Sequence, residues 1–381
     1  MRAPYSEPSP FFLWLRSESF KFPLALFVCG RASLLLSSYV GLKLVPSLYL
    51  HEEARQQVLR PYPALDGLCR WDCGWYERVA NDGYLLPQTP NVFPLFPLLG
   101  HIVQATTGIH RVYALIAISN VASFFSYLVI YRIFRKAASS AGARWGLLLF
   151  AAYPFAYYQA AAYPESLMIL GSALALLLAL ERRHLLAGHA LGLAIAARQI
   201  SAFAGVGMFV AQLRQRPSVR QFLLSPSIFG LVIPLFYLAA FGLYLKKVTG
   251  DALGFIHARE VGWGPSVWYS ARQIWQLEKF SEYPAHFFYP IAAIIPTLGT
   301  IMLCTRTRWA ELAASSVVLM AMVISFGGVG LGRYSASCWP AFLPLGVWLS
   351  RRTALQGPAL GALFLIQGLF FFLFSHQFPI L

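Results

Sequence analysis

Apolar runs of near membrane-spanning length recur along the whole chain, and they decide what it can fold into. Phe22–Val45, Val112–Phe134, Pro164–Leu180, Pro226–Leu245, Leu312–Phe326 and Leu355–Phe374 are the clearest. Each falls at or near the roughly 17–25 residues that a helix needs to cross a bilayer. Hydrocarbon offers no partner to backbone amides, so such runs must be helical. The alternation that marks a membrane β-barrel is absent. Only 12% of the 381 residues are charged, about half the usual share for a soluble domain. The expected fold class is therefore all-α, a polytopic membrane helical bundle forming one domain over residues 1–381.

Basic residues orient the spans. Arg16 and Lys21 precede the first run and predict a cytoplasmic N-terminus. That run is too long for the apolar core of a cleavable signal and lacks a small-residue cleavage pattern, so it reads as a span that stays. Phe93–Thr107 is ambiguous. Counted as a span, it sends every later basic loop to the wrong side. Counted as a juxtamembrane helix on the outer surface, it puts Arg132, Arg135, Lys136 and Arg144, then Arg182 and Arg183, then Arg214, Arg216 and Arg220, then Arg306 and Arg308, then Arg351 and Arg352 on the cytoplasmic side. Its two prolines, His101 and Gln104 also argue against crossing. About eleven spans result, near 22–45, 111–134, 144–160, 163–181, 185–198, 200–213, 226–246, 287–304, 309–326, 335–350 and 355–374. Two external segments are large enough to carry chemistry, 46–110 and 247–286. The net charge of +15 is scattered between apolar runs and forms no patch, which argues against nucleic-acid binding.

The densest chemical signal is Arg70-Trp71-Asp72-Cys73-Gly74-Trp75-Tyr76-Glu77, just after the first span. On a helix Asp72 shares a face with Trp75 and Tyr76. Aromatic rings can stack on the apolar face of a sugar while an acid handles its hydroxyls; the alternative is an interfacial aromatic belt around a solvated acid. Cys69 and Cys73 stand one helical turn apart. Outside the cytosol they could form a disulfide, while an i,i+4 pair is more often two packed thiols. Arg198 and Arg333 fall at predicted external span ends, as phosphate contacts or as snorkelling side chains. Glu165, at a predicted helix start, is either a dipole-favoured cap or a partner for Arg198 or an acceptor sugar. His257, Glu260 and Trp263 lie in the second external segment. His51, Glu52, Glu53 and Arg55 read as a solvated helix face. Arg31, inside the first span, has an interior polar contact or a lipid contact. No zinc spacing, dinucleotide loop or Walker loop is present, so no cofactor is implied and a divalent metal is left open.

The order Trp71-Asp72, Trp75-Tyr76, Ala80-Asn81-Asp82-Gly83-Tyr84 and Phe93-Pro94-Leu95-Phe96-Pro97 resembles the PIG-V family of mannosyltransferases, within the GT-C class of membrane glycosyltransferases. Tyr163-Pro164-Glu165-Ser166 and Gly332-Arg333-Tyr334 extend the resemblance over most of the chain. It implies a GT-C-like bundle with juxtamembrane helices in the first external loop, and Asp72 as catalytic base. Trp71, Trp75, Tyr76, Glu165, Arg198, His257, Arg333 and Tyr334 are the substrate-binding candidates. It also implies a polyprenyl-phosphate sugar as donor on the non-cytoplasmic side, and mannose rests on it wholly.

A phosphate monoester leaves as a stable anion, so one base and cations for the departing phosphate suffice. The expected function is inverting transfer of a hexose, mannose by resemblance, from a polyprenyl (dolichyl-type) monophosphate to an acceptor hydroxyl on a glycan, glycolipid or protein. Membrane lipids are the other expected partners. The expected location is a bacterial plasma membrane with the site facing outside, or the endoplasmic reticulum in a eukaryote. A transporter or flippase of lipid-linked sugars is the rival reading and calls for charges buried mid-span. A non-catalytic subunit that holds a partner enzyme is a further rival, and it would not need Asp72.

Overall fold

The computed structural model describes residues 14–44, 63–216, 218–263, 285–326 and 330–378. His51, Glu52, Glu53 and Arg55 lie outside them, as do the side chains of Glu260 and Trp263. The described residues are helical, with no strand among them. In chain order the α-helices are α1 (Glu18–Leu44), α2 (Pro63–Asp66), α3 (Cys73–Asp82), α4 (Leu95–Thr107), α5 (Arg111–Ala137), α6 (Ser140–Ala152), α7 (Glu165–Leu180), α8 (His184–Ala197), α9 (Phe203–Arg214), α10 (Val219–Leu223), α11 (Ser227–Thr249), α12 (Gly254–Trp263), α13 (Ala285–Cys304), α14 (Ala310–Phe326), α15 (Leu331–Ser335), α16 (Phe342–Leu349) and α17 (Thr353–Ser375).

Five helical stretches are long and apolar enough to cross a membrane: Glu18–Leu44, Arg111–Ala137, Ser227–Thr249, Thr307–Ser325 and Thr353–Ser375. The chain is thus a helical membrane protein. Each of the eleven expected spans overlaps a helix, but several of those helices stop short of bilayer length. The segment expected at 144–160 ends at Ala152, ahead of Pro154. The one at 335–350 breaks into α15, a 3₁₀ turn Trp339–Ala341 and α16. Extended backbone at Arg198 (φ −163°) separates α8 from the 3₁₀ turn that leads into α9. Helix α4 has 13 residues, about 20 Å of rise, and is not among the five.

Irregular backbone inside a membrane protein is tolerated only where protein supplies its hydrogen bonds. Residues 153–163 between α6 and α7 are all buried and meet that demand. Gln367 Nε2 donates to the carbonyls of Ala151 and Tyr153, both at 2.8 Å. Asn120 Nδ2 donates to the Ala160 carbonyl and Ser166 Oγ to that of Gln159. Arg31, in the middle of α1, meets the interior polar contact that its position allowed. It donates to Asn120 Oδ1 at 2.6 Å, to Ser123 Oγ and to the Gln159 carbonyl at 3.1 Å.

Small residues bring helix backbones together where dispersion and close approach, not water, drive packing. Gly142 and Gly146 on α6 face Gly346 on α16, and a Cβ on Gly346 would collide with the Gly146 backbone nitrogen. Gly188 on α8 and Gly230 on α11 approach in the same way.

The packed helices have two chemically distinct ends. At one, Glu18 binds Arg144 at 2.7 Å and Arg135 at 3.4 Å. Glu181 there binds Arg132 and Lys136, which hold its carboxyl below the usual range, Lys136 foremost. Arg214 pairs with Glu311, and Trp309 Nε1 donates to the Ala137 carbonyl. Helices α5 and α7 both finish at this arginine-rich end, and α8 starts there. The opposite end holds the start of α7, the end of α8, α15 and the Asp72 segment.

Candidate active site

The Asp72 segment is built around one unusual turn. Trp71 has φ +54°, a conformation bulky residues rarely adopt. The hydroxyl of Tyr163 ties down the peptide groups on both sides of it. It donates to the Arg70 carbonyl at 2.8 Å and accepts from the Asp72 N–H at 3.2 Å. Arg70 is buried and paired with Asp66 at 2.7 Å, and its Nε donates to the Ser375 carbonyl. Cys69 and Cys73 form a disulfide across the same turn, with Cα atoms 5.3 Å apart. This corrects the packed-thiol expectation. The three residues between the two cysteines do not complete a helical turn, because α3 begins only at Cys73 and Trp71 bends the chain.

Asp72 occupies the N-cap position of α3, yet its side chain accepts no hydrogen bond from that helix. An N-cap aspartate ordinarily satisfies the free amides of the first turn. Here the carboxylate turns to the bundle instead. Its Oδ2 accepts from Arg333 Nη1 at 2.6 Å, and the side chain keeps 25% of its exposure. Among the described residues Oδ1 accepts no hydrogen bond.

Arg333 binds three partners. Nε donates to Glu165 Oε1 at 2.5 Å, Nη1 to Asp72, and Nη2 to the Tyr76 hydroxyl at 2.9 Å. Its guanidinium lies 4.4 Å from the Tyr163 ring centre and 5.3 Å from that of Tyr158. Gly332 has no room for a side chain because the Phe155 ring occupies the space. The expectation of a free guanidinium at a span end thus meets one that is buried and committed to protein. Arg198 takes the other side of Glu165, with Nη1 at 2.6 Å from the same Oε1. Its Nη2 donates to the Tyr334 hydroxyl at 2.6 Å, with the ring 4.6 Å away. Glu165 is the first residue of α7 and is 1% exposed. Its other oxygen, Oε2, is buried without a partner.

The cluster therefore balances Asp72 and Glu165 against Arg333 and Arg198. Leaving any one of the four alone in so buried a place would be costly. Burial pushes the Tyr76 phenol up to about 12, against the pull of Arg333 and Arg198, so it is neutral near pH 7.

The structure gathers Asp72, Tyr76, Glu165, Arg198, Arg333 and Tyr334 at one place. The Tyr76 ring packs against Phe96 and Tyr163, and its buried face is not open for stacking. Trp71 and Trp75 are half-buried beside the same core, and the Trp71 indole N–H is buried without a partner. His257 lies elsewhere: its ring meets Asp251 at 2.6 Å on an exposed part of α12. That contact holds the Asp251 carboxyl below its usual value. Two groups at the site escaped the sequence reading. Tyr163 was legible only as part of Tyr-Pro-Glu-Ser, and Tyr158 stands in an apolar run without a motif. Among the described residues no set of three His, Cys, Asp or Glu side chains is placed to hold a metal ion.

No protein-family model matches the chain, and no curated protein matches it.

Proposed function

We propose that this protein is a membrane glycosyltransferase in which Asp72 is the general base. The supporting observation is that an N-cap aspartate forgoes its cap, gives one oxygen to Arg333 and keeps the other free of hydrogen bonds on a partly exposed side chain. A base must be within hydrogen-bond reach of the hydroxyl it deprotonates, and Oδ1 is the atom left for that task. The proton of the acceptor hydroxyl passes to Asp72 as the acceptor oxygen bonds to the sugar's anomeric carbon. The bond from that carbon to the carrier phosphate breaks on the opposite face, and the phosphate keeps the electron pair. Arg198 is the cation with most to offer the leaving group, because its side chain is 15% exposed against 5% for Arg333. Arg333 positions Asp72.

The donor in this reading is a polyprenyl monophosphate sugar, with mannose carried by the resemblance to the PIG-V family alone. The reading includes eleven crossings, a cytoplasmic arginine-rich end and a site on the outer side. The disulfide beside Asp72 supports an oxidising face, as in a bacterial plasma membrane or the endoplasmic reticulum.

The test is transfer by the purified full chain in nanodiscs, supplied with radiolabelled polyprenyl-phosphate mannose or glucose and membrane-extracted acceptors. Labelled product with wild type and none with Asp72→Asn supports the reading. No product with either sugar overturns it. Sugar translocation across liposomes without transfer favours the transporter instead.

A further inference from the structure

A second concave site lies at the arginine-rich end, far from Asp72. Two loops distant in sequence converge there, residues 306–309 after α13 and residues 351–352 between α16 and α17. They enclose a cavity of about 800 Å³ lined by Arg306, Arg308, Arg351 and Arg352 together with Trp309 and Trp348. That volume lies in the range of small-molecule sites. Among the described residues no acidic side chain lines it. The described carboxylates at this end are engaged by other cations: Glu18 by Arg135 and Arg144, Glu181 by Arg132 and Lys136, Glu311 by Arg214.

All four arginines are exposed, and two of the guanidinia rest on indole rings. Arg308 lies over the Trp309 ring at 4.5 Å and Arg352 over the Trp348 ring at 4.3 Å. Trp309 is buried and anchored to the Ala137 carbonyl, which fixes the platform under Arg308. Arg352 also donates to the Trp348 carbonyl at 3.2 Å. Stacked guanidinia keep free N–H edges, and those edges match phosphate oxygens in pairs. Loop arginines that only mark the cytoplasmic side need no common cavity and no aromatic platforms. Like charges gathered around one hollow repel each other until an anion enters it.

We propose that this cavity binds a phosphate-bearing polyanion, either the headgroup of an anionic lipid or a soluble phosphate ester. Trp348 is 41% exposed, which suits a ring at the level of lipid headgroups. Basic pockets between spanning helices hold doubly charged headgroups by the same chemistry. The proposal is independent of the chemistry at Asp72.

The experiment uses the purified full chain in two arms. In the lipid arm, nanodiscs of phosphatidylcholine with or without diphosphatidylglycerol are analysed by native mass spectrometry for lipid retained on the protein. In the soluble arm, inorganic pyrophosphate is titrated calorimetrically into phosphatidylcholine nanodiscs. Wild type should bind in at least one arm, and the arm that responds identifies the source of the phosphate. Arg308→Gln with Arg351→Gln should weaken that binding by roughly tenfold per arginine removed. Its melting temperature in phosphatidylcholine should stay near that of wild type. If that variant does not fold, Arg308→Lys with Arg351→Lys keeps the charge and loses the fork, and its affinity should fall by a smaller factor. Absence of binding in both arms, or unchanged affinity in the variant that folds, overturns the proposal.

Discussion

Arg333 donates to Asp72 at 2.6 Å across 261 positions of sequence, and through Nε it also holds Glu165. One guanidinium therefore fixes the carboxylate proposed as base and the carboxylate at the head of α7. The link joins the segment between α1 and α5 to the last third of the chain.

Asp72→Asn keeps an oxygen that can accept from Arg333 but removes the basic charge. Transfer should fall by about 10²–10⁴, the usual worth of a positioned general base. The lost charge-assisted bond should cost no more than about 1.5–3 kcal/mol of stability. Donor-dependent turnover and thermal unfolding on the same preparation separate the two effects. Turnover within a few-fold of wild type would remove Asp72 from the base role.

Arg333→Ala should be chiefly a folding defect. It leaves two carboxylates facing a single Arg198 in a buried cluster, and breaking a buried pair from one side typically costs about 3–5 kcal/mol. Arg333→Lys should recover only part, because an ammonium cannot serve Asp72, Glu165 and Tyr76 in one plane. Melting temperatures in detergent should rank wild type, Lys, then Ala.

Tyr163→Phe removes one hydroxyl that bridges the peptides flanking Trp71. The buried Arg70 carbonyl and the part-buried Asp72 N–H lose their partner, at about 1–3 kcal/mol. The Asp72 backbone should loosen, so turnover should fall more than donor affinity. Equal kinetics in Tyr163→Phe would show that the disulfide alone holds the turn.

Gly346→Val should destabilise the α6–α16 contact, since even a Cβ would strike the Gly146 backbone. Overpacking of this kind costs about 1–3 kcal/mol and often more against rigid backbone. A lowered yield of monodisperse protein and a lower melting temperature are the expected readouts. Gly357→Ala, where a Cβ meets open space, is the control.

Single cysteines replacing Arg135 and Arg183 should label from one side of a sealed membrane, and one replacing Asp82 from the other. In the proposed orientation the first two label only after the cytoplasmic face is opened. Labelling of all three from one side would overturn the two-ended topology.

Much of the site was legible because its residues occur in short ordered motifs: Trp71-Asp72, Tyr163-Pro164-Glu165-Ser166 and Gly332-Arg333-Tyr334. What those motifs could not convey was pairing. Arg333 reads from sequence as a free cation at a helix end, and only the fold brings Asp72 and Glu165 onto it. The disulfide was missed as the leading reading because a spacing of four is usually helical, and the left-handed turn at Trp71 has no signature in a bulky residue. Helix lengths were overestimated where apolar runs continue through prolines. The run through Ala152 to Tyr163 looks like span material, yet Pro154 ends the helix and the remainder is a buried loop. His257 was grouped with the site by family resemblance; in the fold it pairs with Asp251, just past the turn at Gly250.

Helices α7 and α8 have 16 and 14 residues, about 24 and 21 Å of rise, against roughly 30 Å of hydrocarbon. The long helices α1 and α5 have 27 residues each. Helices of two lengths are thus packed into one bundle. Leu185, Leu186 and Leu193 on α8 are exposed. Where a short apolar helix faces a bilayer, acyl chains shorten or disorder, at fractions of a kcal/mol per Å of mismatch. Lipids with short chains relieve the mismatch and long saturated ones aggravate it, which makes bilayer thickness a variable that acts on this corner of the molecule.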